Sequence, residues 1–233
     1  FVICTNVFSQ DDALAKDYFK KGDYKKALYE YKNLYSKSPS NINYINQIVI
    51  SHQQLEEYNE AEVFLLRLIN RIKYPAFLVE LGYNYQLKKD EEKANNYYNK
   101  AISTLDDNAN NAFSVARSFQ NHTLLNQAIT TYEKAMVLKP ELNFKLQLAQ
   151  IYGEQGNVEK MFTSYIEFAE KNPVSLNNIK RQINDFISEK GTSENNILFK
   201  KILLKKNQQT PNLLWNEMLS WLFIQQKDFK KAF

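Results

Sequence analysis

Along residues 8–174 a small residue is repeatedly followed, four positions later, by an aromatic or large apolar one. Ala27 precedes Tyr31, Ala61 precedes Leu65, Ala94 precedes Tyr98 and Ala128 precedes Tyr132, and Met161 stands in the small position ahead of Tyr165. The steps from Ala27 to Met161 are 34, 33, 34 and 33 residues, and Ala232 begins one more such unit. A second register runs ahead of the first through Ala15, Val49, Gly82, Ala116 and Ala149, again at 34, 33, 34 and 33. Three residues after each comes a ring: Tyr18, His52, Tyr85, Phe119 and Tyr152. Gly22-Asp23 and Gly156-Asn157 lie between the registers as turns, and Pro39, Pro140 and Pro173 close units where a helix cannot continue.

This spacing predicts two amphipathic helices of about a dozen residues per unit, joined by a tight turn. Small residues let paired helices approach, and the rings fill the space beside them. One pair cannot bury its apolar face alone, so neighbouring pairs are expected to stack and share a core.

The pattern resembles the tetratricopeptide repeat, with five units starting near residues 8, 42, 75, 109 and 142. The clearest matches are Ala15, Tyr18, Gly22, Tyr24, Ala27, Tyr31 and Pro39 in the first unit. Leu81, Gly82, Tyr85, Ala94, Tyr98 and Ala101 carry it in the third, and Ala116, Phe119, Ala128, Tyr132, Ala135 and Pro140 in the fourth. The resemblance implies an all-α, right-handed superhelical solenoid of stacked antiparallel helix pairs, whose first helices line a concave face. Residues 10–174 are then five pairs. Residues 175–210 read as a degenerate sixth, with helices at 176–189 and 194–206 around Gly191-Thr192. Residues 211–233 read as the start of a seventh, opened by Pro211, in a longer protein.

A partner on the concave face would meet first-helix residues outside the two packing registers. These are Asn46, Ile50 and Gln53, then Val79, Tyr83 and Gln86, then Phe113, Arg117 and Gln120, then Leu146 and Gln150. Gln53, Gln86 and Gln120 recur in one phase, so their amides can hydrogen-bond an extended peptide while Tyr83 and Phe113 supply apolar anchors. The competing reading is a solvated face on which glutamine is tolerated as a good helix former. Lys16, one turn after Asp12, and Arg117 are isolated cations and do not make a paired clamp for a terminal carboxylate. Trp215 and Trp221 read as core of the seventh pair, or else as an apolar docking patch.

Composition narrows the choice of function. Five Gly and five Pro are too few for the turns of a sandwich or barrel. The net charge of +4 is spread among acidic residues without a dense basic stripe, which argues against a nucleic-acid partner. The single Cys4 excludes an intrachain disulfide, and His52 and His122 lack metal-ligand companions at helical spacing. No phosphate loop, nucleophile elbow or zinc-protease motif occurs. Glu56-Glu57 and Glu91-Glu92 fall at the starts of second helices, where carboxylates suit the helix dipole. No enzyme and no cofactor is expected.

Residues 1–9 (FVICTNVFS) read as the end of a secretory signal peptide cut before Gln10. The Phe-Ser-Gln ending resembles that of exported Bacteroidota proteins. A lipidated Cys4 is disfavoured because Val2-Ile3 lacks the small residue such processing prefers, and a short apolar start to the first helix is the other alternative. No stretch reads as a transmembrane helix. The expectation is thus an exported, periplasmic scaffold that binds a protein or peptide. A cytoplasmic location is the alternative. So is a sensing module whose DNA-binding or enzymatic output lies beyond Phe233.

Overall fold

The computed structural model describes residues 7–232, with side chains from Asp12 onward, so Cys4 and the signal-peptide reading lie largely outside the described residues. The described residues form helices and no strands. Two compact units divide the chain after Leu138. The first unit holds α1 (Val7–Lys20), α2 (Tyr24–Lys37), α3 (Ile42–Gln54), α4 (Tyr58–Arg71), α5 (Ala76–Leu87), α6 (Glu91–Asp107), α7 (Ala112–Asn121) and α8 (Leu125–Leu138). The second holds α9 (Lys145–Glu154), α10 (Val158–Lys171), α11 (Leu176–Ile183), α12 (Glu194–Gln209), α13 (Leu213–Gln225) and α14 (Phe229–Ala232).

Helices pack as antiparallel pairs, and pairs pack on pairs. Within the first unit α5 lies against α3 and α7, while α6 lies against α8. The small-residue registers are the seam: Ala15, Ala27, Ala61, Ala94, Ala116, Ala128 and Ala135 are fully buried. The rings beside them are buried too, including Tyr31, Tyr98, Phe119 and Tyr132.

The turn within a pair is built the same way six times. Gly22, Glu56, Lys89, Thr123, Gly156 and Lys227 all have left-handed φ, between 58° and 76°. The N–H of each bonds the carbonyl three residues back, and the next N–H bonds the carbonyl five back, as in Gly22 to Phe19 and Asp23 to Tyr18. That closes the open carbonyls of the first helix. Asp23, Asp90 and Asn157 then cap the second helix by accepting from the backbone N–H of Lys26, Lys93 and Lys160. Glycine occupies only two of the six turns, and the β-branched Thr123 is the most strained occupant. Thr123→Gly should stabilise the first unit by about 0.5–1 kcal/mol, the relief of Cβ strain less the cost of a freer unfolded chain. A urea midpoint that fell instead would show that Thr123 is held by its side chain.

The second unit departs from the pattern in a coupled way. Met161 replaces the small residue of α10, and Gly153 stands where the ladder glutamine would be. A Cβ at Gly153 would lie 3.0 Å from Met161 Sδ, so the thioether fills the space that the glutamine leaves. The next pair differs from the sequence expectation. After the 3-10 turn Pro173–Ser175, α11 ends at Ile183 instead of running to residue 189. The buried Asn196 explains the early stop: its side chain accepts from Ser188 N–H and donates to the carbonyls of Ser188 and Lys190, which ties the connecting loop to α12. Trp215 is fully buried and its Nε1 donates to Thr210 O, while Trp221 meets Phe199 edge-on.

Candidate functional site

The first-helix face of the first unit is where most of the sequence-selected residues fall, and the structure separates them. Phe113, Arg117 and Gln120 form one stripe on α7, with Phe113 54% exposed and Arg117 exposed. Asn46 and Ile50 on α3, and Tyr83 and Gln86 on α5, are half-buried. Two residues must be withdrawn from the face. Val79 is fully buried because α5 packs between two neighbouring first helices, and Gln53 on α3 is buried as well. Leu146 and Gln150 belong to the second unit. There Gln150 is exposed, and its Nε2 donates to Gln182 Oε1 at 3.4 Å.

The glutamine ladder has a structural purpose that spacing alone did not show. Twelve residues after Gln86 comes Tyr98, whose hydroxyl donates to Gln86 Oε1 at 2.7 Å. Twelve after Gln120 comes Tyr132, whose hydroxyl donates to Gln120 Oε1 at 3.3 Å. Burial pushes the Tyr132 hydroxyl up to about 12, so it stays a donor at neutral pH. Each amide oxygen is thus engaged within its own pair, which leaves the amide N–H groups for a ligand. Leu65 stands twelve residues after Gln53 and has no hydroxyl, and the buried Gln53 Nε2 has no partner. In the fifth pair Gly153 supplies no amide, and Tyr165 donates instead to Gln182 Oε1 at 2.7 Å.

A buried polar cluster lies behind this face. Glu80 of α5 is 8% exposed and accepts from Ser118 Oγ of α7 at 2.5 Å, and it lies 2.9 Å from Nε2 of His122, the residue that caps the end of α7. The His122 ring stacks on Tyr83, centroids 3.7 Å apart and planes 18° apart. Tyr83 therefore leans on the cluster, and is only partly available to a ligand. Ser118 and His122 both meet the Glu80 carboxylate, so the arrangement clasps α5 to the α7 end of the next pair. Two cues were present in the sequence: a lone glutamate in the apolar run Ala76–Tyr83, and Ser118 and His122 one helical turn apart.

His52 is likewise buried, with Nδ1 2.7 Å from Glu57 Oε2. Desolvation lowers its pKa against the opposing pull of Glu57. Glu57 stands at the N-cap of α4 yet makes no capping bond, so its carboxylate serves His52. Among the described residues no group of three or more His, Cys, Asp or Glu could hold a metal ion, and no helix is long and apolar enough to cross a membrane.

Stacked helix pairs joined by one recurring turn define a helical repeat protein. The tetratricopeptide repeat family matches residues 75–104, the pair α5–α6. No curated protein sequence matches the chain. Among solved structures, the chain is similar to a thermophilic TPR protein of Thermus thermophilus, at 17% identity and a TM-score of 0.40, over 76% of this chain and 97% of that one. It is similar to a tetratricopeptide repeat protein of Parabacteroides merdae, at 14% identity and a TM-score of 0.37, over 97% and 89%. The C-terminal part of a TPR repeat-containing protein of Cytophaga hutchinsonii gives 16% and 0.37, over 94% and 90%.

Proposed function

We propose that the chain is a non-catalytic interaction scaffold, and that the first-helix face of its first unit holds an extended peptide or protein segment. We also read it as an exported protein working in the cell envelope, on the strength of the residue 1–9 pattern. One observation carries the binding reading. Phe113 and Arg117 stand exposed one turn apart on α7, beside Gln86 and Gln120, whose oxygens are already engaged. An aromatic ring and a guanidinium beside amide N–H groups can anchor a peptide and bond its carbonyls.

The test is a cross-linked pull-down from envelope extract with Phe113→Ser/Arg117→Glu beside the unaltered chain. Both positions are exposed, so helicity should be unchanged. Partners that disappear with the variant support the face. Partners held equally by both would remove it from consideration.

A further inference from the structure

A cleft of about 480 Å³ opens between the second helices α2 and α4, and His52 of α3 reaches its lining. His52 is only 4% exposed. Facing the Glu57 carboxylate, its Nδ1 carries the ring's proton, which leaves a lone pair on Nε2. Nε2 has no hydrogen-bond partner among the described residues, and it is not closed off. Desolvation holds the His52 pKa below its ordinary value, and the Lys32 charge adds to this against Glu57 and Glu60. The ring is therefore a neutral acceptor above about pH 6.5.

Two cations share the lining. Lys32 of α2 and Arg67 of α4 are exposed and make no ion pair among the described residues. Glu60 is the one acid there, and no charged group of α5 takes part. Tyr35 and Phe64 give ring walls, with Val63 beside them. The Tyr35 hydroxyl already accepts from Arg71, and Asn59 Oδ1 from Lys88.

Two charges in this cleft thus call for an anion, and one lone pair calls for a donor. A carboxylate answers Lys32 and Arg67 but sets a second acceptor against Nε2. An amide or an alcohol donates to Nε2 but leaves both charges unanswered. A metal ion would meet one imidazole between two cations. An oxyanion that keeps a proton answers all three groups: its oxygens accept from the ammonium and the guanidinium, and its hydroxyl donates to Nε2. Hydrogen phosphate is such an ion, and a phosphate monoester is one up to about pH 6.

We propose that the α2–α4 cleft is a phosphate site, in which Lys32 and Arg67 hold the charge and His52 Nε2 accepts from the phosphate hydroxyl. The site does not depend on the peptide reading of the first-helix face.

The test compares inorganic phosphate with inorganic sulfate on the full chain, by titration calorimetry at about pH 8 and constant ionic strength. Both are dianions there, and only phosphate has a proton to donate. Phosphate should bind about tenfold more tightly, as one hydrogen bond to a charged group implies. Lowering the pH through the depressed His52 pKa lets the ring donate instead, so sulfate should draw level. Lys32→Gln and Arg67→Gln, both at exposed positions, should weaken the two anions alike, and Glu60→Gln should strengthen both. His52→Phe should remove the preference for phosphate. Phenyl phosphate at about pH 6 separates the sources: tighter binding than inorganic phosphate assigns the ring walls to an ester's stem, and equal binding assigns the site to the free ion. Equal binding of phosphate and sulfate at about pH 8 overturns the proposal. So does no binding of either, or a preference for phosphate that survives the combined Lys32→Gln/Arg67→Gln change.

Discussion

Removing both donors from Glu80, as Ser118→Ala with His122→Leu, is expected to destabilise the first unit by about 3–5 kcal/mol, the cost of leaving a buried charge without partners. The physical basis is desolvation. Glu80 is the only carboxylate among the buried described residues, and Ser118 and His122 are the two groups that answer it. Hydrogen exchange of α5 and α7 is the direct readout, because the clasp joins those two helices. Changing all three residues together, with Glu80→Leu added, should recover most of the loss, since an apolar set of similar volume is often neutral in such a position. A double variant that loses less than about 1 kcal/mol would mean that water, not Ser118 and His122, solvates the carboxylate.

The clasp also bears on binding. Tyr83 is seated by the His122 ring, so the same double variant should loosen a residue of the proposed binding face. This is why Phe113 and Arg117 are the cleaner targets for a test of that face. They are exposed, whereas Tyr83→Ala would disturb packing and recognition together.

The repeat was legible from sequence because two helices must touch at small residues, and that demand returns once per unit. The positions of Ala27, Ala61, Ala94 and Ala128 therefore foretold the seam. The binding face was less legible. Being outside the two packing registers did not make a first-helix residue exposed, because a first helix also packs against the first helices on either side. Val79 was lost to that second contact, and Gln53 is buried on α3. The glutamines have a second role that spacing did not show: the oxygens of Gln86 and Gln120 accept from the tyrosine twelve residues on in the same pair. The shortened α11 was not legible, since it depends on where the Asn196 amide finds its partners.

Gly82→Ala tests the seam most severely, and it is expected to destabilise the first unit by about 1–3 kcal/mol. Gly82 lies inside α5, so helix propensity alone favours alanine by about 1 kcal/mol. Sterics oppose that gain. A Cβ at position 82 would stand 2.5 Å from two ring carbons of Tyr98 and 3.1 Å from the Ala94 carbonyl oxygen. Tyr98 cannot simply swing aside, because it is 3% exposed and its hydroxyl is held by Gln86. Either α5 and α6 separate or the Tyr98–Gln86 bond breaks. Combining Gly82→Ala with Tyr98→Leu discriminates between these routes, since leucine removes the ring that the methyl would strike. Partial recovery in the double variant, read from the urea midpoint, would place the strain in the ring. No recovery would place it in the Ala94 backbone contact, where two helices approach too closely for any side chain but hydrogen.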